Sequence, residues 1–261
     1  MRYRPLTIPL YAVLLLAAAG CGSSGNASPP PGSTYTLMQM NLCLSGLADC
    51  HGKRSYPAVV EDAVARIRSE RPDAVTVSEV CQGDAARIAR RTGYRMRFSI
   101  VIYRGRRLPC IRPGGRGLFG DAVLTAAGIA HTYGRPFASQ AGIERRRWLC
   151  VTTTRAIVVC TAHLNTRSTV EGAGNDAQCA ELTRLLARRA TRHTVIFGGD
   201  VNRHESCAPE GMWTRTDSDA EQAAGLQHVY GSATLRSPSA EVLPARHTDH
   251  DVLVVRAEAP G

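Results

Sequence analysis

Five short polar sites in this 261-residue chain adjoin apolar, strand-like runs, and they hold only amide, carboxylate and imidazole groups. Asn41 follows Leu37-Met38-Gln39-Met40, Glu79 follows Val75-Thr76-Val77, and His163 closes the run from Val158 to Ala162. Asp200 and Asn202 come after Val195-Ile196-Phe197, and Asp249-His250 stand just ahead of Val252-Leu253. A polar residue after a strand is the ordinary outcome at any single site. Five such sites along one chain carry more, because strand ends are where a rigid core presents side chains to a shared surface. Asn41, Glu79 and Asp249 are hard oxygen donors, suited to Mg²⁺ (or Mn²⁺ or Ca²⁺) and poor for zinc.

The elements that must position these groups follow from patterning. Strands are expected over 35–42, 74–77, 94–103, 122–125, 194–197 and 252–255, with a hairpin formed by 148–153 and 156–164. Helices are expected over 57–70, where Val59, Val60, Val64 and Ile67 share a face, over 84–91, and over 175–191 with Leu182, Leu185 and Leu186 inward. Strands outnumber helices, and several neighbours lack a helix between them, which disfavours a doubly wound parallel sheet. The expected fold is α/β (α+β), a four-layer sandwich of two packed mixed β-sheets flanked by helices. Hydrophobic residues make up 44% of the chain, enough for one such domain over residues 35–258.

Here the sequence resembles the endonuclease/exonuclease/phosphatase superfamily, the deoxyribonuclease-I-like fold. Met38-Gln39-Met40-Asn41 is like its opening strand, and Ser78-Glu79-Val80 is similar to its Gln-Glu-Val. Gly117 to Leu124 looks like its Gly-Asn-Ala segment with Asp121 in the asparagine's place. Thr161-Ala162-His163-Leu164, Gly199-Asp200-Val201-Asn202 and Thr248-Asp249-His250 complete the set in order, with Gln178 on the helix between. The resemblance implies that Asn41, Glu79 and Asp249 hold a divalent ion, which would neutralise the phosphate and stabilise the leaving oxygen. It implies that His163 and His250 place N–H donors on the non-bridging oxygens of the transition state. Asp200 would orient or deprotonate the attacking water, and Asn202 would fix that water or the phosphate. Which histidine serves as acid or base stays open. One departure stands out: an aspartate that normally orients the last histidine is matched by Gln227, with Asp217 or Asp219 as loop-borne substitutes. That predicts reduced activity, a shifted pH optimum or a degraded site.

Arg2 and Arg4, an apolar run from Leu10 to Ala19 and small residues before Cys21 have the layout of an export signal over residues 1–21, with Cys21 the lipid acceptor that would tether the protein to a membrane. An ordinary signal peptide with a chance cysteine is the alternative. Residues 22–34 read as a flexible tether. Nine cysteines less Cys21 leave eight, an even number in a protein expected on the cell surface or outside, and pairs Cys43–Cys50, Cys150–Cys160 and Cys179–Cys207 are plausible. Net charge is +10, or 10 − 2 = +8 once Arg2 and Arg4 are removed, nearly all of it arginine, which suits phosphate oxygens. Arg145-Arg146-Arg147-Trp148 is either a grip on a nucleic-acid backbone with the indole as a stacking platform or a solvated strand start with Trp148 in the core. Arg104, Arg106 and Arg107, the histidines 193 and 204, and Asn165 with Arg167 admit similar double readings. The expected function is a monomeric, exported metal-dependent nuclease acting on DNA or RNA. The alternatives are a phosphoesterase for a lipid headgroup or small phosphate, and a catalytically weak binding protein.

Overall fold

A computed structural model describes residues 32–48, 50, 56–167 and 172–259. The expected leader, Cys21 and most of the tether lie outside them. In chain order the elements are β1 (Thr34–Asn41), α1 (Ala58–Glu70), β2 (Ala74–Cys81), α2 (Gln82–Thr92), β3 (Arg95–Ile100), β4 (Ile102–Tyr103) and β5 (Arg106–Arg107). There follow β6 (Phe119–Thr125), β7 (Ile129–Pro136), β8 (Glu144–Arg145), β9 (Arg147–Thr153), β10 (Ile157–Ala162), α3 (Gly172–Ala190) and β11 (Thr194–Asp200). The chain closes with β12 (Met212–Thr216), β13 (Gln227–Ser232), β14 (Arg236–Leu243) and β15 (Val252–Glu258).

Two six-stranded sheets, ordered β14-β15-β1-β2-β6-β3 and β12-β13-β11-β10-β9-β7, carry the expected mixed sandwich, beside a small sheet β5-β4-β8. Leu37, Val123, Val159, Ile196, Val229 and Val255 fill the space between the two large sheets. The helices α1 and α2 cover the outer face of the first sheet through Val60, Val64, Ile67 and Ile88, and α3 covers the second through Leu182, Leu185 and Leu186. Inner strands are therefore apolar on both faces, the pattern that makes them easy to find in a sequence.

Among the described residues only two strand pairs are parallel, β1 with β2 and β10 with β11, each joined through a helix, α1 or α3. Both crossovers deliver the carboxyl ends of their strands to the same end of the sandwich. The second pair is unusually close there: a Cβ on Gly199 would lie 2.2 Å from the Ala162 carbonyl oxygen, so only glycine fits just ahead of Asp200.

Six strands were not expected: the two-residue β5 and β8, the inner strand β13, and β7, β12 and β14. β7 and β14 are exposed edges, β12 is a half-buried one, and Arg, Ser, Pro and Gly interrupt their apolar pattern. The strand expected over 94–103 breaks at Val101 into β3 and β4.

Four disulfides are present: the three anticipated pairs and Cys81–Cys110. The last joins the end of β2 to the loop before β6 across 29 residues. Loop-closure entropy assigns it about 3.6 kcal/mol. Replacing Cys81 and Cys110 together by alanine is thus expected to lower unfolding stability by about that amount, read from urea midpoints, and an unchanged midpoint would refute the estimate.

Candidate active site

Strand register explains how residues distant in sequence meet. Asn41 is the last residue of β1, paired with Ser78, so Glu79 falls beside it. β15 runs antiparallel to β1 with Gln39 opposite Leu253, which brings Asp249 and His250, just ahead of β15, to the same end. In the other sheet Ala162 ends β10 and Asp200 ends β11, whose antiparallel neighbour β13 begins at Gln227 opposite Asp200. All seven expected site residues converge here.

Glu79 does not follow its strand; it lies inside β2, at a register shift between Val77 and Val80 in the pairing with β6. Its φ is 55°, and two other non-glycine residues of the site, Cys43 and Asn202, also have positive φ, at 46° and 51°. Such backbone is held only where the surroundings impose it, and here the bulge turns the Glu79 carboxylate inward.

Asp200 is the hub. Its Oδ2 accepts from Asn41 Nδ2 at 3.0 Å, and its Oδ1 accepts from the Asn202 backbone N–H at 3.0 Å. His163 Nε2 and His250 Nε2 lie 3.7 and 3.6 Å from Oδ2. Burial alone would raise the Asp200 carboxyl, but the charge of the flanking imidazoles when protonated, the Asn41 amide and the Asn202 N–H outweigh it and hold it below the usual range; once His163 is neutral, the two hydrogen bonds are what remain against burial. Asn202 Nδ2 donates to the Leu164 carbonyl at 2.9 Å and to His163 Nε2 at 2.9 Å. That makes Nε2 the acceptor and places the His163 proton on Nδ1, which lies 4.0 Å from Glu79 Oε1 with no closer partner. Burial, and then the positive charge of Arg146, depress His163 to about 3, so it is neutral at physiological pH.

Asn41 Nδ2 also donates to Glu79 Oε1 at 3.0 Å, while its Oδ1 accepts from the Cys43 N–H at 3.1 Å. Thr248 Oγ1 donates to the Asn41 carbonyl at 2.9 Å, bringing Asp249 alongside. The Asp249 carboxylate is within 4.8 Å of both sulfurs of the Cys43–Cys50 bridge, which removes soft thiolates from the site. Burial pushes Glu79 up to about 7, against the Asn41 hydrogen bond, although a fifth of its side chain stays open to the cleft. Asp121, whose Oδ1 accepts from the Glu79 N–H at 3.4 Å, is likewise raised by burial to about 7. The Glu79 carboxylate, under-compensated and partly open to the cleft, is a hard oxygen donor of the kind a divalent cation takes, and Asp249, reached through Thr248 and Asn41, is a second at the same end of the sheet.

Gln227 does not take over the missing aspartate's task. Its Nε2 donates to Asp217 Oδ2 at 3.1 Å and to the Asp251 carbonyl at 2.6 Å, and its Oε1 accepts from Gln39 Nε2 at 3.3 Å. Asp217 accepts the Gln227 N–H at 3.0 Å, and burial raises it to about 6. Among the described residues His250 Nδ1 has no hydrogen-bond partner.

Several other expectations are resolved. Gln178 and Asn165 brace the loop after His163: Gln178 Oε1 accepts the Asn165 N–H at 2.8 Å, and Asn165 Nδ2 donates to the Ala141 carbonyl at 3.1 Å. Arg167 is exposed and paired with Glu205. Trp148 is in the core, as the plainer reading held. What the sequence concealed was Arg146. It is 5% exposed, pairs with Glu144 at 3.0 Å, and lines a cleft of about 290 Å³ with Glu79, Tyr103 and Ser45. Its signal was its place in the arginine run, two residues before core-facing Trp148, where a solvated strand start was the default.

The Endonuclease/Exonuclease/phosphatase family pattern matches residues 41–250. Among solved structures, truncated TDP2 from Caenorhabditis elegans is similar with a TM-score of 0.65 and 14% identity, over 88% of this chain and 99% of that one. The human Nocturnin catalytic domain with bound sulfate reaches 0.65 and 15% over 87% and 93%, and an endonuclease/exonuclease/phosphatase from Beutenbergia cavernae 0.64 and 17% over 87% and 72%. At these identities the likeness shows the fold, a mixed sandwich of this kind. No curated protein sequence matches the chain. With a family pattern spanning every site residue from Asn41 to His250 and a fold to match, the chain belongs to the Endonuclease/Exonuclease/phosphatase family.

Proposed function

We propose that this protein is an extracytoplasmic, divalent-metal-dependent phosphodiesterase whose substrate is nucleic acid, with Mg²⁺ as the working ion. The observation that carries the reading is Asp200: an ionised carboxylate, 1% exposed, between two imidazoles and two amide donors. A buried carboxylate held in that state suits the orientation and deprotonation of water. The neutral imidazole of His163, locked by Asn202, and the ring N–H of His250 are donors for non-bridging oxygens. The Arg146 guanidinium, with Nε unpartnered, supplies a fixed positive charge beside them. Glu79 and Asp249, with Asn41 adjacent, would hold the ion, which when bound offsets charge on the phosphate and the leaving oxygen.

Four disulfides support a place outside the cytoplasm, and among the described residues no helix is long and apolar enough to cross a membrane. The arginine-dominated charge supports a polyanionic substrate.

Plasmid nicking with Mg²⁺, with and without chelator, beside a phospholipid-release assay tests the reading. Nicking that needs the metal and disappears in His163→Ala supports it. Lipid turnover without nicking sinks it. Arg146→Ala is expected to raise KM for an oligonucleotide about 10–100-fold, the worth of one or two charge-assisted hydrogen bonds. An unaltered KM would remove Arg146 from substrate binding.

A further inference from the structure

Charge is unevenly distributed outside the catalytic cleft. Between Arg87 and Arg147 the chain has fourteen arginines and two carboxylates, Asp121 and Glu144, and both carboxylates belong to the cleft. Several of these arginines gather at the open edge of the second sheet. A hollow of about 540 Å³ is lined by Arg145, Arg147, Phe137 and Gln140. A second, of about 280 Å³, lies between β7 and α3, lined by Arg135, Trp148, Glu181, Arg188 and Arg189.

Register joins the hollows to the cleft. Pro136 pairs with Arg147 and Arg135 with Trp148 across β7 and β9, and Trp148 pairs with Ala162, the residue before His163. Within one run, Arg146 lines the cleft, Arg145 and Arg147 the first hollow, and Trp148 the second. Two strand spacings, roughly 10 Å, separate the His163 end of β10 from Arg135.

The guanidinium groups are held for contact with an anion. Arg189 stacks 4.6 Å from the Tyr133 ring and 5.8 Å from the Trp148 ring, and Arg135 lies 5.5 Å from Trp148. Stacking occupies their flat faces and leaves N–H edges for oxygen acceptors. Arg135, Arg145, Arg147, Arg188 and Arg189 form no ion pair among the described residues, and the buried Nε atoms of Arg147 and Arg189 have no partner. Such orphaned donors are costly unless an acceptor arrives. The one carboxylate present, Glu181, accepts the Ala138 N–H at 2.8 Å. Tyr133, 43% exposed, puts an aromatic ring at the far rim.

We propose that Arg135, Arg145, Arg147, Arg188 and Arg189 form a track that binds the phosphate backbone of one nucleic-acid strand as it leaves the cleft. The track rests on the nucleic-acid reading above, and it makes the enzyme prefer long chains over short ones. A recessed groove between a helix and a strand suits an extended chain better than a flat bilayer.

The test is fluorescence anisotropy with a fluorescein-labelled 20-nucleotide single-stranded DNA, in chelator, over a range of NaCl. The variant is Arg135→Gln with Arg188→Gln, which leaves the half-buried Arg189 in place. The control removes equal charge from the exposed surface of the α1–α2 layer, as Arg71→Gln with Arg90→Gln. Loss of two phosphate contacts is expected to weaken binding at least tenfold and reduce the salt slope by about 1.4, with the control within twofold of wild type. Arg188→Gln alone repeats the test if the double variant melts early. Binding equal to the control overturns the track, as does wild-type protein that binds no oligonucleotide. Weakened binding to phosphatidylglycerol vesicles with oligonucleotide binding intact also overturns it, in favour of a membrane contact. Catalysis is read separately, as wild-type hydrolysis of bis(p-nitrophenyl) phosphate with Mg²⁺. If that is absent while the anisotropy result holds, the catalytic reading falls and the track stands.

Discussion

Asp200→Asn is expected to lower kcat on an oligonucleotide or on bis(p-nitrophenyl) phosphate by about 10²- to 10⁴-fold, the contribution of a positioned general base. The substitution nearly preserves shape in a site that is 1% exposed. It removes the charge, however, and places an amide N–H₂ where Asn41 Nδ2 now donates at 3.0 Å. Donor would face donor, so a stability loss of about 1–3 kcal/mol should accompany the kinetic loss. The two effects are separable, because a melting curve reads one and saturation kinetics read the other. A variant that folds and keeps more than a tenth of wild-type kcat would show that Asp200 is not the base.

Glu79→Gln should produce the second largest effect, and it reverses sign between stability and activity. In the metal-free protein Glu79 titrates near 7 rather than 4.5, because burial opposes its charge. The folded state therefore holds a proton that the unfolded state has already lost between pH 4.5 and 7. Stability falls as pH rises through that window, by up to about 3 kcal/mol for a shift of this size. Metal-free wild type should accordingly melt lower at pH 8 than at pH 5.5, and Mg²⁺ should recover more at pH 8, where ionisation of the ligand no longer competes. Glu79→Gln should raise the metal-free melting temperature at pH 8, since a neutral amide replaces a buried charge. Asp121, also near 7, keeps part of the slope. The same variant should lose most of the Mg²⁺-induced stabilisation and about 10²-fold or more in kcat/KM at millimolar Mg²⁺. Differential scanning fluorimetry across pH with and without Mg²⁺ checks this, and an undiminished Mg²⁺ response would take Glu79 out of the ligand set.

By itself the sequence determined the central strands except β13, the three helices, the two-sheet class and the residue types of the site. It could do so because β1, β2, β6, β10, β11 and β15 are buried on both faces and read as nearly unbroken apolar runs, each ending near one of the polar groups. Edge strands such as β7 and β14 face solvent, and nothing in burial constrains their composition, so they left no pattern. Tertiary structure alone decided the rest. The bulge that turns Glu79 inward is a pairing irregularity with β6, forty residues away in sequence, and no local propensity records it. Gln227 turns to Asp217 and Asp251 rather than to His250 because those partners meet only once β13 and β15 are in place. Arg146 resembles its two neighbours in type and differs from them only in which way the folded backbone points it. Residue identity sets which chemistry is possible; the direction of a side chain, and the partners that shift its charge, exist only after distant strands have paired.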